Sequence, residues 1–481
     1  MIEQRRGPVL AAFGLLLLLA AVVLPGVASA HESLPTGVQR LELSLGEREL
    51  ALTVTAPPEG GGRLPVVVLP RGDAPPGEVT LAAVRPGEDP ATGGPVAVPV
   101  SPVGQPHEVA LRADAPGEWE VVVVDGATVA RIPLTVAVPA PTPGWVWAVR
   151  IGAVLGVVAL IAALAPAVRA RPRLAVTLGA VALVAVTVAV TAAITAPTGP
   201  PAPTPAAAPV SVASGHAGHG GAPTPTAPAA PMAPAAGAVV VTARTAPDAR
   251  AGVPTDLVLD LTDGSTGAVV DDLTIHDEAL IHLAVIGPAG ELAHVHPVRT
   301  APGRYIVRLV PPTGGRFGVF AEMERAGEGG HQVARTAFAV AGPAPAAAPA
   351  PGPGVREVAG MRAVVAVPDA VAGRRTRVSV TFTQAGAPVT DLQGWLGMGA
   401  HLVLLGPGVA GGPDPTDPAS AFGHGHDMTP PGPAGTYGPQ VAFDHTFARA
   451  GRHALWIQVQ RDWRIVTIPV TVDVAPETPA P

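Results

Sequence analysis

The sequence predicts an all-β protein: three Ig-like or cupredoxin-like β-sandwich domains, with a two-helix transmembrane hairpin between the first and second. Three observations support this. Short runs of alternating apolar and polar residues recur between Pro/Gly turns, as in β-sandwiches. Two long apolar segments, 146–168 and 174–194, each match the roughly 20 residues that cross a bilayer core. The second half of the chain also contains an internal repeat.

Residues 1–30 have the features of a secretory signal peptide. Arg5 and Arg6 form a positive start, residues 9–24 are almost wholly apolar, and Ala28-Ser29-Ala30 is a small-residue cleavage site. An uncleaved anchor helix is the alternative, but the well-formed cleavage site favours removal. The mature chain would then begin at His31.

Residues 31–140 are predicted to form the first β-sandwich. Alternating runs recur at 40–45, 49–55, 66–69, 96–100, 118–124 and 131–138. Turn residues separate these runs, which is the spacing expected of short antiparallel strands.

Residues 145–196 are predicted to form the transmembrane hairpin. Arg169, Arg171 and Arg173 lie in the short connection between its two apolar spans. By the positive-inside rule this connection is cytoplasmic, so both flanking segments lie outside. We therefore expect a protein of the cell membrane with all β-domains on the extracytoplasmic side.

Two linkers follow from composition. Residues 197–237 are rich in Pro, Ala and Gly with almost no large apolar side chain, which predicts a disordered tether. Residues 343–355 form a shorter linker of the same kind. The tether would let the second half of the chain move relative to the anchor.

The two repeats, 238–342 and 356–476, carry the same histidine pattern. The first has His282 followed by His294-Val295-His296, and the second has His401 followed by His424-Gly425-His426. Each is predicted to be a β-sandwich, because each consists of several short strand-like runs with no convincing helix.

The composition and motifs of the chain argue against several classes of function. The net charge is −7 and no basic face is present, so nucleic-acid binding has no support. The chain has no cysteine, which excludes thiolate-based copper, zinc and iron–sulfur sites. No nucleophile elbow, His-Glu-x-x-His motif or phosphate loop is found, so we expect no enzyme activity.

The first histidine set is a candidate metal site. His294 and His296 are two apart, which on a strand puts both imidazoles on one face about 6.5 Å apart. His282 lies on a buried-type strand, and Glu278 upstream is a possible fourth donor. Three imidazoles suit Cu(II) or Zn(II). The alternative is that His282 is a hydrogen-bonded histidine of the core and that His294 and His296 are exposed strand residues.

The second set looks different in sequence. His424 and His426 fall within a Gly/Pro-rich insertion, roughly 406–440, which predicts a mobile, loop-borne site. Met428 adds a thioether, which favours copper. His31, as a mature N-terminus, would offer its α-amine and ring nitrogen as a chelate for Cu(II). This depends on the exact cleavage position, and the alternative is a residue that follows the cleavage site by coincidence.

Several segments resemble known families. The stretch EALIHLAVIGPAGELAHVHP at 278–297 resembles cupredoxin-like secreted bacterial domains found beside copper-transport genes. WLGMGAHLVLL at 395–405 is similar to the domain that usually follows them, and residues 31–140 are similar to YtkA-like and CopC-like extracytoplasmic domains. Ile281 stands where that pattern has Met. The resemblance implies a metal-binding role for His282, His294, His296, His401, His424 and His426.

The sequence thus predicts a membrane-anchored, extracytoplasmic metal-binding protein that acts in copper tolerance or delivery, with copper as the ion and zinc as a second possibility. A membrane metal transporter is the expected partner. Because a free imidazole has a pKa near 6.5, binding should weaken as the pH falls from about 7 to 5. The alternative is a non-catalytic cell-surface Ig-like scaffold that binds protein or polysaccharide.

Overall fold

Alternating burial defines the strands of this protein. In the computed structural model, Thr255–Asp263 and Arg375–Gln384 bury every second residue along most of their length. The structure describes residues 38–57, 60–73, 75–137, 237–343 and 350–477, with a few positions, mostly helical, between 162 and 180. The five long ranges form an all-β fold, as predicted, in which six sheets are arranged as three β-sandwiches.

The first domain pairs two four-stranded antiparallel sheets, with strand orders β1-β2-β3-β6 and β5-β4-β7-β8. A short 3₁₀ turn, Pro90–Gly93, follows β4. The strands are β1 (Val38–Leu45), β2 (Arg48–Thr55), β3 (Gly62–Arg71), β4 (Glu78–Val84), β5 (Val96–Pro99), β6 (His107–Ala113), β7 (Gly117–Asp125) and β8 (Thr128–Val136).

The first repeat pairs the sheet β14-β15-β10-β9 with a five-stranded sheet, β11-β16-β12-β13, in which β17 also pairs with β16. A 3₁₀ turn, Gly327–Gly329, lies between the last two strands. The strands are β9 (Val239–Arg244), β10 (Thr255–Asp263), β11 (Leu273–Thr274), β12 (His282–Ile286), β13 (Leu292–Val295), β14 (Val298–Ala301), β15 (Arg304–Leu309), β16 (Gly315–Arg325) and β17 (Gly330–Val340).

The second repeat is built in the same way. Its sheets are β18-β19-β20-β21, with β24 also on β20, and β23-β22-β25-β26. The strands are β18 (Gly354–Val358), β19 (Met361–Ala366), β20 (Arg375–Gln384), β21 (Ala387–Pro388), β22 (His401–Leu405), β23 (Phe422–His426), β24 (Gln440–Thr446), β25 (Gly451–Arg461) and β26 (Arg464–Val474).

Strand register fixes which residues of the two repeats are equivalent. His282 pairs with Glu322 across β12 and β16, and His401 pairs with Gln458 across β22 and β25. Glu322 and Gln458 therefore occupy the same place in the two domains.

The two repeats pack on each other through these sheets. Ala284 and Phe320 of the first repeat share one apolar cluster with Val403 and Trp456 of the second. Phe320 stacks on Phe422 with ring centroids 4.5 Å apart. Strands β12 and β22 are buried at every residue, because one face meets its own core and the other meets the opposite repeat.

The first domain also contacts both repeats. The chain from Gln39 to Pro481 forms one compact unit. The backbone N–H of Ser44 donates to the carbonyl of His296 at 2.9 Å, and the Arg299 guanidinium donates to Glu120 at 2.9 Å. Gly72 donates to the carbonyl of Trp463. These contacts hold the first domain against both repeats.

Several predictions fall outside the described residues. The signal peptide, His31, nearly all of the hairpin at 145–196 and almost all of the linker at 197–237 belong to this group. In the part of the chain that is described, no helix is long and apolar enough to cross a membrane.

Candidate metal centre

Six histidines meet where the two repeats pack together. His282 lies 5.9 Å from His294 and 5.3 Å from His296, as measured between ring centroids. Across the interface, His294 lies 4.9 Å from His424. The sequence predicts two separate sites, but the structure joins them into one, which we call the six-histidine cluster: His282, His294, His296, His401, His424 and His426.

Both histidine pairs lie on or directly after a strand. His294 is on β13 opposite Ala284, and His426 on β23 is directly opposite His401. The expectation of a mobile loop for His424 and His426 is therefore wrong. Glycines at 423 and 425 fill the alternate positions of β23, so the period of two places both imidazoles on one face.

Backbone carbonyls set the tautomers of the two strand-initial histidines. Nε2 of His282 lies 3.0 Å from the carbonyl oxygen of His276, and Nε2 of His401 lies 3.0 Å from that of Trp395. A carbonyl can only accept, so we assign the proton to Nε2 in both rings. In the neutral imidazole, Nδ1 of His282 and of His401 then carries no proton, so its lone pair is available to bind a metal ion.

The opposite repeat sets two further tautomers. His424 donates from Nδ1 to Glu322 Oε2 at 2.7 Å, and His294 donates from Nδ1 to Gln458 Oε1 at 2.9 Å. Gln458 is itself oriented by the bond from its Nε2 to Thr467. Each repeat therefore orients a histidine of the other and leaves Nε2 of that ring bare, which is the outer hydrogen bonding found around metal-bound histidines.

One contact within the cluster is unfavourable between neutral rings. Nδ1 of His401 lies 3.2 Å from Nε2 of His424, and the assignments above leave both nitrogens without a proton. Two lone pairs then face each other. A metal ion that binds both at about 2.0–2.1 Å would convert this repulsion into coordination.

Two sets of three side chains can each present their ligand atoms within 4.8 Å of one another: His282, His294 and His424, and His401, His424 and His426. Nitrogens on one tetrahedral ion are about 3.4 Å apart. Closing on an ion would therefore require the ligand atoms to approach one another by at most about 1.4 Å. His424 belongs to both sets, and each set draws on a strand pair at the interface between repeats.

Several buried nitrogens of the cluster have no hydrogen-bond partner. They are Nδ1 of His282, both ring nitrogens of His296 and Nε2 of His426. An unpaired buried polar group usually destabilises a fold by about 1–3 kcal/mol. Four such atoms in one place fit a set of residues arranged for an ion rather than for packing.

Burial favours the neutral form of most rings of the cluster. It lowers the pKa of His282 to about 4, with repulsion from His424 as the second cause. Burial, followed by repulsion from neighbouring imidazoles, holds the pKa values of His294, His296 and His401 well below the usual range. Although burial opposes it, hydrogen bonds from His331 and His424 lower the pKa of Glu322, so this carboxylate is ionised.

Two predicted ligands lie away from the cluster. Glu278 has a left-handed backbone (φ 62°) in the turn before β12, and its carboxylate faces Arg40 at 3.9 Å. Strand β12 begins only at His282, so Glu278 does not share a strand face with His282 and does not join it as the fourth donor that the sequence suggests. The side chain of Met428 is 63% exposed, beyond the end of β23, and the thioether argument for copper is lost with it.

Sequence reasoning missed four residues that surround the cluster. The rings of His276 and His331 lie 5.5 Å apart, and that of His276 lies 6.4 Å from the ring of His282. Glu322 and Asp277 are the other two residues. The pairing of β16 with β12 and β17 brings these residues together, and no spacing along the chain reports it.

Comparison with known proteins adds little. A family model described as a domain of unknown function (DUF8832) matches residues 356–476, the segment of the second repeat. No curated protein matches the chain.

Similar solved structures include three bacterial surface proteins. The Escherichia coli adhesin FdeC is 13% identical, with 94% of this chain and 100% of that chain covered and a TM-score of 0.16. A tetra-tandem repeat of a large adhesion protein is 10% identical, with 90% of this chain and 82% of that chain covered and a TM-score of 0.18. The bacterial integrin-binding protein invasin is 10% identical, with 91% of this chain and 60% of that chain covered and a TM-score of 0.15. At TM-scores this low, the likenesses carry no argument about fold or function.

Proposed function

We propose that this protein binds one transition-metal ion between its two repeats, with copper as the expected ion and zinc as the second candidate. The observation that supports this best is the 3.2 Å approach of His401 Nδ1 to His424 Nε2, since neither atom carries a proton when both rings are neutral. The unpartnered nitrogens around them supply the remaining donors.

The candidate ligands limit which metal ions the site can bind. Every candidate ligand is an imidazole, and the chain has no thiolate to offer. Imidazole suits Cu(II) and Zn(II), and nitrogen sites bind copper more tightly than zinc in the usual order of affinities. Hard ions such as Mg²⁺ and Ca²⁺ require oxygen ligands.

The proposed role is binding or delivery rather than catalysis. Six imidazoles exceed the four that a tetrahedral ion accepts, so protein nitrogens can close the coordination shell. Closed shells are typical of non-catalytic sites. We propose that the protein acts outside the cell membrane, because the sequence predicts a signal peptide and a membrane hairpin, and that its partner is a membrane metal transporter.

A cell-surface scaffold that binds protein or polysaccharide is the second candidate. Three β-sandwich domains in one compact unit are what such a scaffold would also present. On that account the histidines only pack the interface between repeats, and no metal should bind them selectively.

Calorimetric titration of the full chain with Cu(II) and Zn(II) separates the two. We expect one ion per chain, and loss of that binding in His424→Ala, because His424 belongs to both ligand sets. His107→Ala, which removes a histidine of the first domain, is the matched control and should bind normally. Wild-type binding no tighter than that of His424→Ala would favour the scaffold.

A further inference from the structure

The surroundings of the six-histidine cluster differ sharply between the two repeats. On the side of the first repeat lie five polar side chains, which we call the outer set: His276, Asp277, Glu322, Glu324 and His331. Strand register and the matching turns before β12 and β22 give their equivalents in the second repeat. These equivalents are uncharged: Trp395, Leu396, Gln458, Gln460 and Ile465.

The outer set connects the surface to the cluster in two branches. In one, His331 Nε2 lies 2.6 Å from Glu322 Oε1, and Glu322 Oε2 accepts from His424. In the other branch, Glu324 lies 2.9 Å from His276 Nδ1, and Asp277 lies between His276 and His426 of the cluster. Side-chain exposure falls from 47% at His331 to 10% at Glu322 and 3% at His424.

Asp277 occupies the most informative position. Its Oδ2 atom lies 3.2 Å from His276 Nε2 and 3.4 Å from His426 Nδ1, yet it is buried and makes no hydrogen bond. Each ring nitrogen of His276 therefore faces a carboxylate, Nδ1 that of Glu324 and Nε2 that of Asp277. Asp277 in turn links His276 to His426 of the cluster.

The equivalent side of the cluster is closed. The Trp395 ring lies 4.6 Å from that of His401 and is buried, as are Leu396 and Gln460. Arg71 of the first domain donates to Gln460. An apolar ring with a guanidinium behind it opposes the passage of a cation.

We infer that the outer set is the path by which a metal cation enters and leaves the six-histidine cluster. This inference rests on the proposed metal binding and adds its route. Surface carboxylates raise the local concentration of cations, and successive imidazole and carboxylate groups replace the water of the ion stepwise as exposure falls.

The test is the kinetics of Cu(II) binding to the full chain, followed by stopped-flow quenching of tryptophan emission. Trp395 lies 5.0 Å from His294 and 4.6 Å from His401, so a bound Cu(II) should quench it, and Trp395→Phe should remove the signal. His276→Gln and Glu324→Gln should each slow association roughly tenfold.

A path residue has a distinctive signature. Because the same route serves both directions, dissociation should slow by the same factor and the equilibrium affinity should stay unchanged. Two control variants should leave both rates unaltered. Asp444→Asn removes one negative charge elsewhere, and Ile465→Ala alters the residue equivalent to His331.

The outcomes separate the two proposals. Unchanged rates in His276→Gln and Glu324→Gln, with wild-type affinity intact, would overturn the path and leave metal binding standing. Faster dissociation with weaker affinity would make these residues ligands and also overturn it. Absence of Cu(II) binding in the wild type would instead refute the metal-binding function itself.

Discussion

Nδ1 of His401 lies 3.2 Å from Nε2 of His424, and the other nitrogen of each ring faces a hydrogen-bond acceptor, so in the neutral rings neither of the two facing nitrogens carries a proton. The acceptor for His401 is a backbone carbonyl of its own repeat. The acceptor for His424 is a carboxylate of the opposite repeat. The interface between repeats therefore sets the chemistry of the cluster.

Glu322 and Gln458 should have opposite effects on affinity. Glu322→Gln keeps a hydrogen-bond acceptor for His424 but removes its charge, and loss of such an outer partner typically weakens metal affinity about 10–100-fold. Gln458→Glu places a carboxylate on His294 at the equivalent position and should strengthen binding. Calorimetry measures both, and a shift of both variants in the same direction would contradict this role.

His296 should stabilise the metal-bound protein and destabilise the metal-free protein. Both of its ring nitrogens are buried without a partner, so His296→Leu should raise the unfolding free energy of the metal-free chain by about 1–3 kcal/mol. The same variant should bind metal more weakly. Denaturant unfolding with and without Cu(II) measures the two effects.

His453→Leu is the control for that comparison. His453 is equally buried, but its Nδ1 is hydrogen-bonded to the carbonyl of Gly451. This substitution should destabilise the protein and leave affinity unchanged. If both variants were destabilising to the same degree, the unpartnered nitrogens of His296 would have no special meaning.

Metal binding should persist to lower pH than a free imidazole allows. The sequence predicts weakening between about pH 7 and 5, on the ordinary pKa. Burial lowers the pKa of His282 to about 4, so protons compete with the ion only near that value. We expect Cu(II) affinity to change little from about pH 7 to 5 and to fall below it. A midpoint near 6.5 would show that the rings are solvated.

The same pKa shift makes folding depend on pH. The folded pKa of His282 lies below its unfolded value of 6.5, so the unfolded chain takes up the proton first. The stability contribution of His282 is present above about pH 6.5 and is lost as the pH falls towards 4. His282→Gln should reduce the slope of unfolding free energy by about 1.4 kcal/mol per pH unit in that window. An unchanged slope would contradict it.

Packing between repeats should matter for affinity as well as stability. Phe422→Ala removes the stack on Phe320 and should destabilise by about 3 kcal/mol, at the low end for this substitution. It should also weaken metal binding, because the cluster spans the same interface. Phe338→Ala removes a similar stack on Phe317 inside the first repeat. It should lower stability alone.

Much of the fold could be predicted from sequence, because period-two alternation and Pro/Gly turns are local signals. The grouping of His282 with its own pair was predicted for the same reason and is observed. The joining of the two histidine sets into one cluster could not be predicted, because no local sequence pattern indicates which outer sheet faces of the two repeats pack together. Glu278 was misplaced because the left-handed turn at 277–278 interrupts a run that looks like a strand.

The second histidine pair shows how composition can mislead. Gly423 and Gly425 made β23 look like a loop, yet His424-Gly425-His426 keeps the same period of two as His294-Val295-His296. Comparison of the two copies residue by residue would have indicated a strand. His276 and His331 had no such signal, because their equivalents in the second repeat are Trp395 and Ile465.

The most direct test of the central claim is anomalous X-ray diffraction at the copper absorption edge, on crystals of the full chain loaded with one equivalent of Cu(II). The account predicts one peak between the repeats, about 2.0–2.1 Å from ring nitrogens of His424 and of at least two other histidines of the cluster. A copper peak elsewhere on the chain, or none at the cluster, would contradict it.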